Sequence, residues 1–285
     1  MRTEKDGNRT ADIKQAAERL VAQSPTKTRS VDLVHRLARR FDLSPGQVRC
    51  VIKALVGEGR LAYTYEYGCS FLEISYQRPV QVSPRILLAP PEFDLDPSGD
   101  RIIVRVASGA AFGCGRHPTT RLALRGIDHS LCGADGRRPG DGTVLDIGTG
   151  TGVLVIAAVR LGMAKGIGID IDPVSRAEAR GNVRRNHLAH AIRISDLSVD
   201  RAGAGRPFTM ITANLRTPSL ERLATPIAAA LKAGGRAVLS GIKDDEVEDV
   251  LAVYRRCNMR LQWQATEKNW AAVVLARDRT RNSRY

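Results

Sequence analysis

The chain has 285 residues, a formal net charge of +14 at pH 7 and 26% charged residues. That length suffices for about two domains with a buried core, and the excess of Lys and Arg suits an acidic partner, most simply RNA, DNA or a ribonucleoprotein. No window approaches the ~18 apolar residues of a membrane span, and the charged stretch from Arg2 to Lys14 lacks the apolar core of a signal peptide. Five scattered cysteines (Cys50, Cys69, Cys114, Cys132, Cys257) show no C-x-x-C pair and no metal spacing, so they read as reduced thiols of a cytoplasmic protein without a metal site.

In chain order, residues 11–21 carry Ile13, Ala16, Ala17, Leu20 and Val21 at helical spacing. Ser30 is placed to cap a second helix with Val31, Val34, Leu37, Ala38 and Phe41. Ser44-Pro45-Gly46-Gln47 opens a third, with Pro in the first turn, and Gly57-Glu58-Gly59 ends it. Two β-rich runs, 61–65 and 70–74, flank a turn at Gly68. Three helices and a hairpin resemble a winged helix-turn-helix, so residues 1–80 are expected to form a winged-helix-like domain. Arg36, Arg39 and Arg40 on its second helix, and Arg49, Lys53 and Arg60 on the third, would touch phosphates if the domain binds RNA or DNA. A solvated basic face, or a surface for homodimer or substrate contacts, is the alternative use.

Residues 81–100 are proline-rich, from Pro84 through Pro90 and Pro91 to Pro97, and read as an extended linker. The third segment, 101–285, opens with a strand at 101–106. From Gly142 onward strands and helices alternate. Strands are expected at 144–146, 166–170, 191–194, 210–214, 237–240 and 272–276, and helices near 153–160, 174–187, 219–231 and 245–257. This alternation predicts an α/β, Rossmann-like doubly wound sheet.

The most informative run is Val144-Leu145-Asp146-Ile147-Gly148-Thr149-Gly150-Thr151-Gly152. An apolar strand ends in an acid, and a glycine-rich turn opens a helix. Glycines there let the backbone pass close to a ligand. The next strand ends in Asp170, placed to accept both hydroxyls of a ribose. A dinucleotide fingerprint needs its third glycine three residues after the second, whereas Gly152 follows Gly150 by two. Asp146 would also repel a pyrophosphate. A cationic nucleoside without phosphate, S-adenosylmethionine, fits better than a nicotinamide or flavin.

The residues 111–122, Ala-Phe-Gly-Cys-Gly-Arg-His-Pro-Thr-Thr-Arg-Leu, resemble the F-G-x-G-x-H-x-T-T loop of the PrmA family, enzymes that methylate a large-subunit ribosomal protein. Gly168-Ile169-Asp170-Ile171-Asp172-Pro173, Ala213-Asn214-Leu215, Ser240-Gly241-Ile242 and Glu267-Lys268-Asn269-Trp270 are similar as well. The resemblance implies a seven-stranded class I methyltransferase sheet whose last strand is antiparallel, with cofactor contacts at Thr120, Gly148, Asp170 and Asn214. It stops before residue 102, because the first domain does not resemble the small α+β domain with which the family recognises its substrate.

The expected roles follow. Asp146 lies near the ammonium of the methionine part, or else only orders the turn. Gly148 and Gly150 admit the ligand, and Asp170 binds the ribose. Asp172 caps the helix before Pro173, and Asp196, after the third strand, meets the adenine amine. Phe112 covers the cofactor. Asn214 orients the acceptor nitrogen and is the candidate catalytic residue. Trp270 walls the acceptor pocket or packs in the core, and His117 is a general base or a structural histidine. The resulting expectation is an S-adenosylmethionine-dependent methyltransferase acting on lysine or N-terminal amines of a ribosomal protein. Methylation of RNA or a small molecule by the same core, and a DNA-binding regulator that only senses the cofactor, are the alternatives.

Overall fold

The computed structural model describes residues 2–66, 68–96, 99–107, 109–132, 141–203 and 207–278, with side chains from Arg9 onward in the first helix. Pro97 of the proline-rich stretch and the last residues of the chain lie outside these. The chain divides into two compact units, Met1–Arg78 and Pro79–Tyr285.

In the first unit, α1 (Arg2–Gln23), α2 (Ser30–Phe41) and α3 (Pro45–Gly57) enclose a core of Ala17, Val21, Leu33, Leu37, Val48, Ile52 and Leu55. Strands β1 (Thr28–Arg29), β2 (Leu61–Glu66) and β3 (Cys69–Ile74) form a small antiparallel sheet in the order β1-β3-β2. The start of α3 follows from its sequence. The Ser44 hydroxyl accepts the Gln47 N–H, the Gln47 side chain accepts the Ser44 N–H, and Pro45 needs no partner in the first turn. Ser30 is not a cap. It is the first residue of α2, and its hydroxyl instead pairs with that of Ser70 at 2.5 Å.

The described residues of the 81–100 stretch do not form an extended linker. Strands β4 (Val80–Gln81) and β5 (Ile86–Ala89) belong to the second unit, where β5 pairs in parallel with β6 (Ile102–Arg105), Ile86 opposite Ile102. The apolar residues Ile86, Leu88 and Ala89 between the prolines are buried, and that burial outweighs the extended-linker bias of the composition.

The remainder of the second unit holds α4 (Pro118–Cys132), β7 (Thr143–Ile147), α5 (Val153–Arg160), β8 (Lys165–Ile169), α6 (Pro173–Arg185), β9 (Ile192–Ser195), α7 (Val199–Gly203), β10 (Phe208–Asn214), α8 (Thr217–Arg222), α9 (Ala224–Ala230), β11 (Leu231–Lys243), α10 (Val247–Arg256), β12 (Met259–Glu267) and β13 (Trp270–Arg277). The seven-stranded sheet has the order β12-β13-β11-β10-β7-β8-β9. Strands β7 to β11 pair in parallel, and the last strand, β13, runs antiparallel between β11 and β12. This is the Rossmann-like class I methyltransferase fold.

Two elements differ from the expected pattern. The single helix expected near 219–231 is broken at Leu223, because Pro226 has no N–H to donate back to the preceding turn. Strand β12, an edge strand that was not expected, carries Met259, Leu261, Trp263 and Ala265 in alternation with the exposed Arg260, Gln262 and Gln264. The turn between β12 and β13 places Lys268 and Asn269 at φ of 50° and 61°, which is the two-residue geometry that suits the right-handed twist of a hairpin.

Candidate functional site

In a doubly wound sheet, ligands bind beyond the carboxyl ends of the strands, where the strand order reverses. Here that point lies between β7 and β10. A cleft of about 550 Å³ opens there, lined by Phe112, Ile147, Gly148, Gly150, Ile169 and Asp170, by Ile171, Leu197, Ser198 and Val199, and by Asn214, Leu215 and Arg222. Of the expected cofactor residues, the structure brings Phe112, Gly148, Gly150, Asp170 and Asn214 to this one cleft.

Asp170 is held by the backbone around it. Its Oδ2 accepts the Gly150 N–H at 2.9 Å and its Oδ1 accepts the Asp172 N–H at 3.0 Å. Each oxygen keeps a further lone pair for a hydroxyl donor. Asp172 caps α6 as expected, accepting from Val174 N and Ser175 N. The Ser175 hydroxyl and amide hold its carboxyl below the usual carboxylate range.

Asp146 is fully buried beneath the glycine loop and does not line the cleft. Its two oxygens each accept a hydroxyl at 2.6 Å, from Thr149 and from Thr212. Burial raises its pKa from an ordinary value near 3.8 to about 6, against the lowering effect of both hydroxyl bonds. Of the two roles open to a strand-end acid, ordering the turn is the one this geometry serves.

The glycines answer to the protein itself as much as to a ligand. A Cβ at Gly148, where φ is +67°, would meet Leu215 Cδ2 at 2.7 Å, and one at Gly150, where φ is +51°, would overlap the Phe112 carbonyl oxygen. That carbonyl also accepts the Thr151 N–H at 2.9 Å, and Gly113 O accepts the Thr151 hydroxyl at 2.9 Å. The glycine loop and the 111–117 loop are thus seated on each other.

Helix α6 fastens the same assembly from the side. Glu178 accepts the Ala110 and Ala111 N–H groups. The Asn182 amide accepts from Ala107 N at 3.1 Å and donates to Thr151 O at 2.9 Å, while Asn186 accepts from Arg105 N and donates to Arg105 O.

Beside the cleft, Phe112 is 54% exposed. Its ring centroid lies 5.3 Å from that of His117, which meets Trp270 edge-on at 5.0 Å. Lys243 Nζ sits 3.9 Å from the centre of the Trp270 ring. His117 Nδ1 is 2.9 Å from the Thr119 hydroxyl. A buried ion pair locks this wall: Arg121 Nε donates to Glu267 Oε1 at 2.8 Å, and the same guanidinium donates to Gly115 O at 3.0 Å. The β12–β13 turn is thereby tied to the 111–117 loop.

Thr120 is buried and does not line the cleft; its hydroxyl accepts a long 3.5 Å bond from the Asn214 amide. In that orientation Asn214 Oδ1 is left as an acceptor. Asp196 is exposed and also stands outside the lining, which runs instead through Leu197, Ser198 and Val199. Sequence reasoning missed the apolar wall made by Ile169, Ile171, Leu197 and Val199. Its legible sign was Ile171, an apolar residue between two acids at the end of a strand, which the structure leaves 95% exposed. Among the described residues no cluster of three or more His, Cys, Asp or Glu could hold a metal ion, and no helix is long and apolar enough to cross a membrane.

The family model described as "Ribosomal protein L11 methyltransferase (PrmA)" matches residues 72–278. The ribosomal protein L11 methyltransferase of Cupriavidus taiwanensis is 34% identical over 195 residues, covering 68% of this chain and 61% of that protein. That of Laribacter hongkongensis is 36% identical over 176 residues, covering 62% and 55%. The crystal structure of a ribosomal protein L11 methylase from Lactobacillus delbrueckii subsp. bulgaricus superposes with a TM-score of 0.61 at 25% identity, covering 70% of this chain and 99% of that one. The chain spans about three fifths of the length of the curated relatives it matches.

Proposed function

Because the chain belongs to the ribosomal protein L11 methyltransferase (PrmA) family, we propose that it transfers a methyl group from S-adenosylmethionine to amines of a ribosomal protein. The observation that carries this reading is the convergence of Gly148, Gly150, Asp170 and Asn214 on one cleft. Its volume lies in the range of small-molecule sites, and its walls suit a nucleoside: a carboxylate with spare lone pairs at Asp170, and an apolar slot between Ile169, Ile171, Leu197 and Val199.

When bound, S-adenosylmethionine supplies an electrophilic methyl group on a cationic sulfur. Asp170 accepts the ribose hydroxyls, and Ile171 and Leu197 receive the flat ring system. Asn214 Oδ1 accepts a hydrogen bond from the acceptor nitrogen, whose lone pair is thereby aimed along the cleft. Phe112, His117 and Trp270 form the wall along which an alkylamine passes. The acceptor must be neutral to attack. A lysine of pKa about 10.4 pays about 4.6 kcal/mol for this at pH 7, and an α-amine of pKa about 7.8 only about 1 kcal/mol. Burial in this partly apolar cleft lowers either cost, and alignment offsets several kcal/mol more. No dedicated base is needed, and His117, wedged between two aromatic rings, is read as structural.

The three helices and hairpin of residues 1–78 are read as a winged helix standing where the family carries its substrate domain. The test is incubation with recombinant ribosomal protein L11, intact ribosomal subunits and labelled methyl donor. Label on the protein fraction, lost in Asn214→Ala while circular dichroism matches the parent, is the expected result. Label confined to RNA or to small molecules would overturn the reading.

A further inference from the structure

Residues 1–78 carry charge and rings that the catalytic reading does not use. On α3 the buried side is Val48, Ile52 and Leu55, and the exposed side is Gln47, Arg49, Cys50, Lys53 and Ala54. Arg49 and Lys53 stand one turn apart on the same face, and α3 contains no acid. Helix α2 adds exposed Arg36, Arg39 and Arg40 against a single acid, Asp32. Three of the other acids of the unit are drawn elsewhere: Glu18 and Glu58 to Arg60 and Lys14, and Glu66 to Lys27. Arg36, Arg39, Arg49 and Lys53 make no ion pair among the described residues.

The next element supplies a second, independent observation. On β2, Tyr63 and Tyr65 point to the same exposed face, 37% and 75% accessible, with ring centroids 6.3 Å apart and planes inclined by 29°. A stacked pair of large rings left in water is costly in a unit whose core is otherwise closed. Unpaired bases have the flat faces that such rings bind, and phosphates have the charge that α3 lacks a partner for. A DNA duplex would engage the cations but offers no free base face to the tyrosines. An acidic protein would leave the rings unused.

We propose that the exposed sides of α3 and β2 form a docking surface for looped or single-stranded RNA. Arg49 and Lys53 meet phosphates there, and Tyr63 and Tyr65 stack on unpaired bases. The choice of RNA over single-stranded DNA rests on the reading that the acceptor is a ribosomal protein, since such an acceptor is met in an RNA-rich particle. Binding is measured without methyl transfer, so its failure would leave the catalytic reading intact.

The test is fluorescence anisotropy of the full chain with a labelled RNA stem-loop, a DNA duplex of equal length and an acidic peptide, across 50–200 mM salt. Expected is preference for the stem-loop. Arg49→Gln with Lys53→Gln should flatten the slope of log affinity against log salt by about 1.4–1.8, at roughly 0.7–0.9 per phosphate contact. Tyr65→Ser should weaken stem-loop binding about tenfold and leave the salt slope unchanged. Circular dichroism and cofactor affinity, both expected to match the parent, verify that the variants are folded. Preference for the duplex or the peptide, an unaltered salt slope in the double variant, or unaltered affinity in Tyr65→Ser would each overturn the proposal.

Discussion

Replacing Asp146 by Asn tests how the glycine loop is supported. In the folded chain this carboxyl titrates near 6, because burial disfavours its charged form; an exposed aspartate titrates near 3.8. Between those values the unfolded chain has released the proton while the folded chain still holds it. Stability therefore falls as pH rises through this window, and the full loss is in place above about 6. At about 1.36 kcal/mol per pH unit the loss amounts to about 3 kcal/mol. Asparagine reproduces the bonding of the protonated acid, since its oxygen accepts one threonine hydroxyl and its amide donates to the other. It does not titrate. All other groups titrate alike in both proteins and cancel.

Urea unfolding at pH 4.5 and 7.5 reads the difference. Relative to the parent, Asp146→Asn should gain about 2 kcal/mol of stability between those pH values, the part of the transition they span. A gap that stays constant, or that closes as pH rises, would refute the reasoning. The same variant tests what the carboxylate faces. Both its oxygens are taken by hydroxyls and neither reaches the cleft, so cofactor affinity should change by no more than about threefold, under 1 kcal/mol.

Three further outcomes are expected. Asp170→Ala should lower cofactor affinity at least about a hundredfold, for the loss of two charge-assisted bonds at roughly 1.5 kcal/mol or more each; isothermal titration showing unchanged affinity would sink the ribose assignment. Gly150→Ala should cost about 2–3 kcal/mol in urea unfolding, from the left-handed backbone and the overlap with the Phe112 carbonyl, and a stability equal to the parent's would contradict that packing. Glu267→Gln leaves Arg121 buried against an uncharged partner and should cost about 3 kcal/mol; a melting temperature within a degree of the parent's would count against the clasp.

The chemistry-bearing ends of the strands were legible because few residue types serve there. Asp146 and Asp170 after apolar runs, with glycines at 148, 150 and 152, marked β7, β8 and the cleft without any knowledge of packing. Ser44, Pro45 and Gln47 likewise announced α3, since a capping box is a local device. Most of what escaped was set by distant partners. Strand β5 was hidden among prolines because its partner β6 lies beyond a stretch of loop. Edge strand β12 does alternate, with Met259, Leu261, Trp263 and Ala265 between polar residues, and was overlooked although its pattern was legible. Asp146 read equally well as a ligand or a buried support, and only Thr212, 66 residues away, decides between them. Asp196 was nominated by its position after a strand, but the lining runs through Leu197 and Ser198 instead.

Helix α6 holds Arg105 and Ala107 through Asn186 and Asn182, contacts that span 81 and 75 residues of chain. The 111–117 loop is positioned early in the sequence but cannot be secured until α6 has been synthesised and packed. Closing so long a stretch is entropically slow. The cleft is therefore complete only once α6 has packed against residues 105–111, and the ability to bind a ligand should emerge with that packing rather than with the pairing of β7 and β8 alone.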